Sequence, residues 1–418
     1  MPRTPAVTGV LELLGFLGDP DFVRRRFERY GDVFETVLGG QPQIFVKGAE
    51  AAGELLAQSE ALEGWWPSSV RQLLGEFSLS NRNGVAHLAR RRAVGQLFTA
   101  GALRTYVPGI TALSDGLVAE LAAAEGPVAL VDRMRPFAFA VIAQVVLGLG
   151  AAEQKALFDD FEIWSGGLFS FPLAWPGTPL ARAKGARKRL LRRIRSLLPS
   201  IEPLKGACDE AGLPLGDDDL VEQLLLLLFA GYETTASSLG CLLLVLLQHP
   251  EAIDWLQEEI DALPWPLAPD QLEQLERAER LDAVVKEVMR LIPPVGGLFR
   301  RTTAPVRLLG YAIPAGRVIQ VNISGTHRDP RVYAIPDEFQ ADRHLRQPLK
   351  APGYIPFGGG PRVCLGRPLA ELEVRLLAVR LLQTLRFTLV PRQNLSLETI
   401  PTPRPKDGLL VTVQRRSA

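Results

Sequence analysis

One cysteine in the last quarter of the chain lies in a pattern suited to metal ligation. Cys364 follows a glycine-rich stretch, residues 357–363, and precedes a long apolar run that favours a helix. A thiolate at a helix N-terminus is stabilised by unpaired backbone N–H groups and by the positive end of the helix dipole. A structural zinc site normally needs four ligands, whereas Cys364 has no second cysteine or histidine close by in the sequence. The pattern instead suits an iron that a porphyrin already holds in four directions.

The residues around Cys364 fit this interpretation. Gly358 and Gly360 allow the backbone to turn sharply and to approach a flat macrocycle, and Gly366 removes a Cβ where the following helix would lie against the ring. Arg362 can reach a haem propionate with its fork-shaped guanidinium group. A buried structural cysteine at a loop–helix junction is the alternative for an isolated cysteine, but the whole pattern F-x-x-G-x-R-x-C-x-G disfavours it.

The stretch FGGGPRVCLG, from Phe357 to Gly366, matches the haem-binding signature of the cytochrome P450 superfamily at every defining position, so the chain resembles that superfamily. The resemblance implies haem b (iron protoporphyrin IX), with Cys364 as the axial ligand of the metal. It also implies that Phe357, Gly358 and Gly366 contact the haem. The implied fold class is mainly α (α-rich α+β), the cytochrome P450 fold, in which a large helical domain carries a small segregated β-sheet.

Length and composition agree with one large domain, which we predict over residues 1–418. The chain has 47% hydrophobic residues and a net charge of +1, so it can bury a large core and has no strong field that would attract nucleic acid. Its three cysteines are too few and too scattered for a disulfide framework, which favours a reducing compartment. The N-terminal residues lack a long apolar run, so we expect neither a signal peptide nor a membrane anchor. Given the resemblance, this implies the bacterial-type form of the superfamily, which we expect to be cytoplasmic.

Hydrophobic periodicity places long helices between strands near both ends of the chain. Strands are predicted for two short segments within 32–47, for a hairpin over 306–321 and for 409–414. Helices are predicted over 101–124, 134–148, 181–198, 218–248, 250–262, 271–291 and 365–385.

The apolar stretch Leu224–Leu247 approaches the length of about 20 residues that crosses a bilayer. A carboxylate at its centre, Glu233, would be costly in lipid. We therefore predict a long helix through the core of a globular protein.

This helix, residues 218–248, would be about 45 Å long. Gly231, after Ala230, weakens the helix and lets a planar group come close, and Thr234 can turn its hydroxyl toward a backbone carbonyl. An acid beside an alcohol, where a helix loosens, can relay protons into a dry pocket; a polar patch in an amphipathic helix is the alternative. The motif resembles the family's A-G-x-[DE]-T pair, which implies that Glu233 is the catalytic acid and Thr234 the alcohol, and argues against the peroxide-using branch.

Glu287 and Arg290 form the only Glu-x-x-Arg in the sequence, and their spacing places both on one helix face. An ordinary surface ion pair is the alternative. The position, upstream of the cysteine loop, resembles the family's Glu-Arg pair, and the implied third structural member is Arg343. Ala341 and His344 depart from the usual P-E-R-F form around that arginine. Such a buried cluster would support the haem rather than perform chemistry.

Further arginines are candidates for the haem propionates. His87 and Arg91 are four residues apart and share a helix face, although a solvated face is the alternative for a run of three arginines. The resemblance implies an H-x-x-x-R of this kind over the propionates. It also implies Arg300 as a further propionate ligand, with Arg301 as the competing choice.

Residues 63–75 resemble the loop that lines the distal pocket of the family. Together with PPVGGLFR, residues 293–300, the run WPSSVRQLLG resembles the retinoid-hydroxylating group and its cyanobacterial members. This implies an apolar, elongated isoprenoid substrate, retinoid- or terpene-like. The predicted pocket residues are Trp66, Leu73, Ala230, Val295, Leu298 and Phe299, for which simple core packing is the alternative.

Residues 161–180 mix aromatic residues, glycine and proline without clear periodicity, and a basic segment follows them. A mobile apolar lid over the substrate entrance is one hypothesis, and peripheral membrane contact that collects lipid-like substrates is a second. A charged, solvated helix is the default for the basic segment.

The resemblance implies a monooxygenase that binds O2 opposite Cys364 and inserts one oxygen atom into an apolar substrate. The length leaves no room for a reductase domain, so a separate ferredoxin- or flavodoxin-type donor is expected. Basic residues are candidates for its docking face: Arg90, Arg91, Arg92, Arg362 and Arg367. The alternatives are a haem-thiolate isomerase or dehydratase of an oxygenated lipid, and a non-catalytic haem-binding sensor.

Overall fold

A computed structural model describes residues 1–4, 9–171, 173–202, 204–347, 349 and 351–416. Within these ranges the helices are α1 (Gly9–Gly18), α2 (Phe22–Tyr30), α3 (Ala49–Ala57), α4 (Ser68–Leu74), α5 (Gly84–Gly95), α6 (Ala100–Ala122), α7 (Leu130–Ala140), α8 (Ala151–Leu168), α9 (Pro179–Leu197), α10 (Asp217–Gln248), α11 (Pro250–Asp261), α12 (Leu272–Glu276), α13 (Glu279–Leu291), α14 (Ile323–Thr326), α15 (Arg343–Arg346) and α16 (Arg367–Thr384).

The strands are short and lie mostly before α4 and after α13. They are β1 (Val33–Leu38), β2 (Gln41–Val46), β3 (Leu62–Gly64), β4 (Val128–Ala129), β5 (Gly297–Thr302), β6 (Val306–Leu308), β7 (Tyr311–Ile313), β8 (Val318–Asn322), β9 (Leu385–Leu389), β10 (Leu397–Glu398), β11 (Arg404–Pro405) and β12 (Leu410–Arg415). The predicted α-rich class with segregated sheets is confirmed.

The chain divides into two compact units. The first contains Met1–Trp65, Lys286–Cys364 and Leu397–Pro403, and the second contains Trp66–Val285, Leu365–Ser396 and Arg404–Ala418. Each unit is assembled from segments distant in sequence. The single domain over residues 1–418 stays a prediction.

The first unit is built on a five-stranded sheet with the order β1-β2-β8-β5-β3. Strand β8 runs parallel to β2, and the other neighbours are antiparallel. Alternate residues of a strand face opposite sides of a sheet, so Val33, Ile44 and Val46 pack with α3 on one face. Phe34 and Phe45 stack on the other face, with ring centroids 5.3 Å apart.

The second unit is built around α10, which packs against α7, α9 and α16. A three-stranded antiparallel sheet, β4-β12-β9, completes the unit. Helix α10 has 32 residues, about 48 Å at the usual rise per residue. It is long and apolar enough to cross a membrane, but 78% of its most apolar window is buried inside the protein, as the core-helix prediction required.

Two expectations about the helices need correction. Helix α10 continues unbroken through the predicted loosening. The Thr234 hydroxyl bonds to the Ala230 carbonyl, which keeps a second lone pair for the helix ladder. The predicted helix over 271–291 is two helices. The Glu259 carboxylate accepts from the backbone N–H groups of Arg280 and Leu281 and thereby caps a new helix start.

The segment predicted as a pocket loop, 63–75, and the segment predicted as a lid, 161–180, are both partly helical. Pro67 precedes the first turn of α4, so most of residues 66–75 form a helix rather than a loop. Residues 161–168 are the last two turns of α8, and the irregular connection begins at Phe169. Residue 172, within the predicted lid, lies outside the described residues.

Candidate active site

The cysteine loop turns where the sequence predicted it to turn. Gly358 and Gly360 have φ values of +71° and +66°, a region that side chains disfavour. The Cys364 backbone N–H donates to the Phe357 carbonyl at 2.9 Å, which closes the loop. The Cys364 residue is exposed, and α16 begins three residues later in the sequence, after Gly366. The loop therefore presents a thiol on a backbone with few side chains.

Two of the predicted propionate ligands lie together in the first unit. Burial and, to a smaller extent, the positive charge of Arg362 lower the pKa of Arg300 to about 10. Among the described residues Arg300 makes no ion pair, and its Nη1 donates to the Phe299 carbonyl at 2.8 Å. The Arg362 guanidinium lies against Gly64, where an added Cβ would come within 2.5 Å of Nη1. Two guanidinium groups held together in this way suit an anionic ligand.

Arg301, the competing choice, points elsewhere. Its guanidinium pairs with Glu63 of the neighbouring strand β3, and its side chain is 44% exposed. Alternate residues of β5 face opposite sides of the sheet, so only one of these two arginines can face Arg362. The geometry favours Arg300.

The predicted ion cluster is present and buried. Glu287 accepts hydrogen bonds from both Nε and Nη2 of Arg290, at 2.7 and 2.9 Å, and from Arg343 Nε at 2.9 Å. His344 Nε2 lies 3.1 Å from the same carboxylate. Burial by itself would raise the pKa of Glu287, but Arg290, His344 and Arg343 outweigh burial and lower it to about 2. The alternative of a weak surface pair does not apply.

A second histidine connects this cluster to the segment that leads into the cysteine loop. His327 Nε2 accepts from the Ile355 N–H at 2.8 Å, and its Nδ1 lies 3.2 Å from the Arg290 carbonyl oxygen. Burial lowers the pKa of His327 to about 3, so the ring is neutral and bonds through both nitrogens. Tyr354 stacks on the His327 ring at 5.3 Å. No local pattern marks His327 as a member of this cluster.

In the second unit, the acid and the alcohol occupy adjacent positions of α10. The Glu233 side chain is only 3% exposed, and its Oε2 lies 3.7 Å from Arg135 Nη2 of α7. Thr234 is half-buried, and its hydroxyl donates to the Ala230 carbonyl at 2.7 Å, as predicted. Ala230 is exposed and Gly231 half-buried, although most of the helix is buried. The helix thus presents a short surface without large side chains next to the two polar groups.

The three consecutive arginines of α5 differ in how deeply they are buried. His87 is buried and Arg91 half-buried, one turn apart as predicted. Arg90 is also buried, and its Nη2 lies 2.6 Å from Asp219 of α10. Its assignment to an exposed docking face is therefore wrong, because its guanidinium group is buried and paired with Asp219 inside the unit. Arg92 is exposed.

The predicted pocket residues have different environments. Leu73 is fully buried in the core of the second unit, which fits the core-packing alternative, and Trp66 contacts Phe169 with ring centroids 6.5 Å apart. In the first unit, Val295 is 36% exposed, and Leu298 is half-buried near Gly358. Phe299, also in the first unit, lies 5.8 Å from the Trp65 ring.

Three residues close to Glu233 were missed in the sequence: Arg135, Glu162 and Tyr232. They come from three helices, and Glu162 is 70 positions from Tyr232, so no local spacing connects them. Glu373 of α16 was missed as well, although a carboxylate among leucine and valine residues was a signal. It is fully buried, and its carboxyl accepts from the Thr235 hydroxyl at 2.6 Å.

The donor set agrees with a haem rather than with a metal held by protein alone. Among the described residues, no three His, Cys, Asp or Glu side chains form a cluster that could hold an ion. Cys364 offers one exposed sulfur, and Arg300 and Arg362 offer cations to carboxylates such as propionates. These residues fit an iron porphyrin with one thiolate ligand.

Comparisons with known proteins agree with this chemistry. The cytochrome P450 family model matches residues 204–412. Cytochrome P450 120 of Synechocystis is 36% identical over 96% of this chain and 93% of that protein. Human cytochrome P450 26C1 is 35% identical over 93% of this chain and 83% of that protein.

A solved structure, retinoic acid-bound cyanobacterial CYP120A1, matches with a TM-score of 0.91 and 35% identity, covering 97% of this chain and 96% of that chain. Fold, sequence and the cysteine signature thus agree over nearly the whole length. The chain belongs to the cytochrome P450 family of haem-iron monooxygenases and, within it, to the retinoid-related group of P450 120 and P450 26.

Proposed function

We propose that this protein is a haem b monooxygenase in which Cys364 is the axial thiolate, and that it inserts one oxygen atom from O2 into an apolar isoprenoid, a retinoid- or terpene-like molecule. The observation that carries the proposal is the exposed Cys364 thiol on a glycine turn. When bound, the thiolate-ligated haem supplies oxygen activation.

The residues around the ring would hold and orient it. Arg300 and Arg362 would bind propionates through charge-assisted hydrogen bonds, and the resemblance implies the same role for His87 and Arg91. Phe357, Gly358 and Gly366 would contact the haem, and Ala230 and Gly231 would let it come close, because these two residues have little bulk. The cluster of Glu287, Arg290 and Arg343 would stabilise the fold that carries the loop.

Glu233 and Thr234 would move protons. Glu233 is a buried carboxyl group, and Thr234 is a neighbouring hydroxyl that can rotate from the Ala230 carbonyl toward a ligand. A positioned acid–alcohol pair accelerates proton transfer by about 10² to 10⁴. This role distinguishes an oxygen-dependent enzyme from an isomerase or dehydratase, which needs no proton delivery to O2.

The substrate class rests on similarity and composition. The solved relative is described as bound to retinoic acid, and it resembles this chain over nearly all of its length. Trp66, Val295, Leu298 and Phe299 would supply apolar contacts, and apolar lining is typical of ligand pockets. Leu73, which is fully buried, would act by packing behind the pocket.

Electrons would come from a separate ferredoxin- or flavodoxin-type protein with its own reductase. With Arg90 excluded, the exposed cations left for an acidic donor are Arg92 and Arg367, with Arg362 and Arg91 half-buried. Docking driven by such charges weakens with salt. A rate of reduction by an acidic donor that does not change between low and high salt would contradict this docking face.

We further propose a cytoplasmic protein that touches membranes peripherally through the connection before α9. Phe171, Leu173 and Trp175 are exposed, and α9 adds exposed Arg182, Lys188 and Arg192. Exposed aromatics beside cations bind anionic interfaces. Flotation with anionic vesicles tests this, and a protein that stays in the dense fraction would contradict it.

The test of the main proposal is the absorption spectrum of the reduced protein with carbon monoxide. A Soret band shifted far to the red is expected for the natural protein and is lost in Cys364→His, while Cys208→Ser keeps it. Product formation from retinoids and terpenes, dependent on O2 and donor, then separates the monooxygenase from an isomerase and from a sensor. A normal red-shifted band in Cys364→His would refute the ligand assignment.

A further inference from the structure

Two buried amide groups lie on one face of the five-stranded sheet in the first unit. Gln43 on β2 and Gln320 on β8 are each only 4% exposed. Gln43 is opposite Val318 and Gln320 is opposite Phe45, so both side chains are on the face that carries Phe34 and Phe45. The Oε1 atom of each glutamine accepts no hydrogen bond from the residues that the structure describes. Because buried polar groups normally have a partner, two such oxygens on one face indicate that a polar group binds there.

Gln320 lies beside residues that are expected to contact the substrate. In the antiparallel register of β5 and β8 it is directly opposite Phe299, whose ring centroid lies 5.8 Å from that of Trp65. The amide extends along β5 to Gly297, where an added Cβ would come within 2.8 Å of Gln320 Nε2. Gly297 follows shortly after the exposed Val295. The amide therefore lies between an aromatic pocket residue and the open start of the strand.

Strand β5 separates this amide from the predicted propionate site. Alternate residues of a strand face opposite sides of a sheet, so Arg300 faces away from Phe299 and Gln320. Leu298 shares the Arg300 side and lies near Gly358 of the cysteine loop. The two amides are therefore on the side of the sheet that does not carry the haem-binding residues. A ligand that reaches from one side of β5 to the other must be elongated.

The charged groups that flank the amides on this face are already paired. Arg301 of β5 pairs with Glu63 of the neighbouring strand β3. On β1, the Thr36 hydroxyl donates to the Glu12 carboxylate at 3.3 Å, and Arg26 pairs with the same carboxylate. Within the described part of the chain, the charges around the amides are thus balanced. A carboxylate that entered here would lose its water and gain no counter-charge, which is costly.

We propose that Gln320 and Gln43 form a polar subsite that binds the alcohol end of an elongated isoprenoid substrate. This inference rests on the proposed function and defines its substrate class more closely. A primary amide offers an acceptor and two donors, and a hydroxyl group both donates and accepts, whereas a carboxylate only accepts. The hydroxyl is held on the opposite side of β5 from Arg300, so oxidation falls on the part of the molecule that is distant from the hydroxyl.

Binding of three matched retinoids to the haem-loaded protein tests the subsite. Retinol, retinoic acid and the parent hydrocarbon axerophthene share one carbon skeleton and differ only at the terminal carbon. Equilibrium dialysis at about pH 8, where the acid is ionised, should give a lower dissociation constant for retinol than for retinoic acid. In Gln320→Leu, the dissociation constant of retinol should rise about tenfold relative to that of axerophthene, because the hydroxyl is then buried without a partner.

Turnover of retinol adds a second readout. The natural protein should oxidise retinol in its ring half, which is distant from the hydroxyl group, and Gln320→Leu should give a wider mixture of products. Oxidation by the natural protein at the carbons next to the hydroxyl group would contradict the subsite.

A buried water that bridges the two amides is the competing explanation. A purely structural water predicts that Gln320→Leu keeps the natural ratio of the retinol and axerophthene dissociation constants, and that result would overturn the subsite. The matched control is Gln41→Leu, because Gln41 is exposed on the same strand as Gln43, and it should leave the ratio unchanged. If Gln320→Leu does not fold, Gly297→Ala takes its place, since the added Cβ displaces the amide without removing a polar group.

Dialysis needs neither thiolate ligation nor turnover, so the inference and the proposed function can fail separately. A carbon monoxide spectrum without the red-shifted Soret band would refute the thiolate assignment, while the loss of retinol preference in Gln320→Leu would still support the subsite. A normal red-shifted band together with tighter binding of retinoic acid than of retinol would overturn the subsite alone.

Discussion

The Thr235 hydroxyl on α10 donates to the Glu373 carboxyl on α16 at 2.6 Å, inside the core of the second unit. Burial raises the pKa of Glu373 to about 8, although the Thr235 hydrogen bond acts in the opposite direction. The carboxyl group is therefore protonated at neutral pH in the folded protein. Two core helices are thus joined by a polar contact whose state depends on pH.

The first prediction concerns this contact and stability. Between the ordinary pKa of 4.5 and about 8, the folded protein holds a proton at Glu373 that the unfolded chain has lost. Stability falls as pH rises through this window, by about 1.4 kcal/mol for each unit. In Glu373→Gln this dependence is removed, so the variant should gain stability relative to the natural protein from about pH 5 to about pH 8.

Denaturant unfolding of the haem-loaded proteins at these two pH values measures the difference. Glu371→Gln, on the same helix in a half-exposed pair with Arg367, is the control and should change little. A stability difference between Glu373→Gln and the natural protein that is the same at both pH values would contradict the prediction.

The second prediction concerns Glu287. Its folded pKa of about 2 lies below the ordinary 4.5, since its cationic partners outweigh burial. The stability that it contributes is present above pH 4.5 and is lost as pH falls toward 2. Glu287→Gln leaves Arg290 and Arg343 buried without their counter-charge, which costs about 3–5 kcal/mol.

Urea unfolding at neutral and acid pH checks this. The deficit of Glu287→Gln should be largest near neutral pH and should shrink on acidification, whereas Glu279→Gln at the exposed start of α13 should match the natural protein. If Glu287→Gln does not fold, the acid titration of the natural protein carries the test. Constant stability of the natural protein between pH 4.5 and pH 2 would then be the adverse result.

The third prediction separates Arg300 from Arg301. Arg300→Ala removes a half-buried cation that would pair with a propionate, and charged hydrogen bonds of this type contribute about 1.5–3 kcal/mol. Haem loss to an excess of a scavenging protein should accelerate about tenfold or more. Arg301→Ala removes an exposed pair with Glu63, worth about 0–1 kcal/mol, and should lose haem at the natural rate. The reverse order of the two rates would exclude Arg300.

The fourth prediction concerns Thr234. Thr234→Val keeps the shape of the side chain but removes the hydroxyl, so electrons should appear as hydrogen peroxide and product formation should fall about 10²-fold. Thr234→Ser should retain most of the product yield. Ser238→Ala is the control. It removes a hydroxyl one turn away, whose described hydrogen bond goes to the Thr234 carbonyl, and it should behave like the natural protein. If Thr234→Val forms as much product per electron as the natural protein, the proton relay through Thr234 is excluded.

The sequence predicted correctly those features that depend on residues close to one another along the chain. The turn before Cys364 depends on glycines within a few residues, and α10 depends on a long run of apolar side chains. Arg343 was found only through resemblance. His344 was noticed as a departure from the family pattern. In the fold its Nε2 lies 3.1 Å from the Glu287 carboxylate.

The features that sequence could not predict depend on distant partners. The pattern around Arg90 indicated a solvated or docking residue, but Asp219, 129 positions later, binds it in the core. The segment around Ser68 lacked helical periodicity because it contains only two turns. The contact of Glu233 with Arg135 of α7 and that of Tyr232 with Glu162 of α8 arise from the packing of three helices. No spacing along one helix records this packing.

The three cysteines differ in the reactivity that their surroundings allow. Cys208 and Cys364 are exposed, whereas Cys241 is buried and burial raises its pKa to about 12, despite a hydrogen bond with Ser237. Alkylating reagents attack thiolates, so Cys241 will resist them while the protein is folded. If Cys364 binds the iron as proposed, the number of alkylated cysteines per folded molecule measures haem loading, with two expected without the cofactor and one with it.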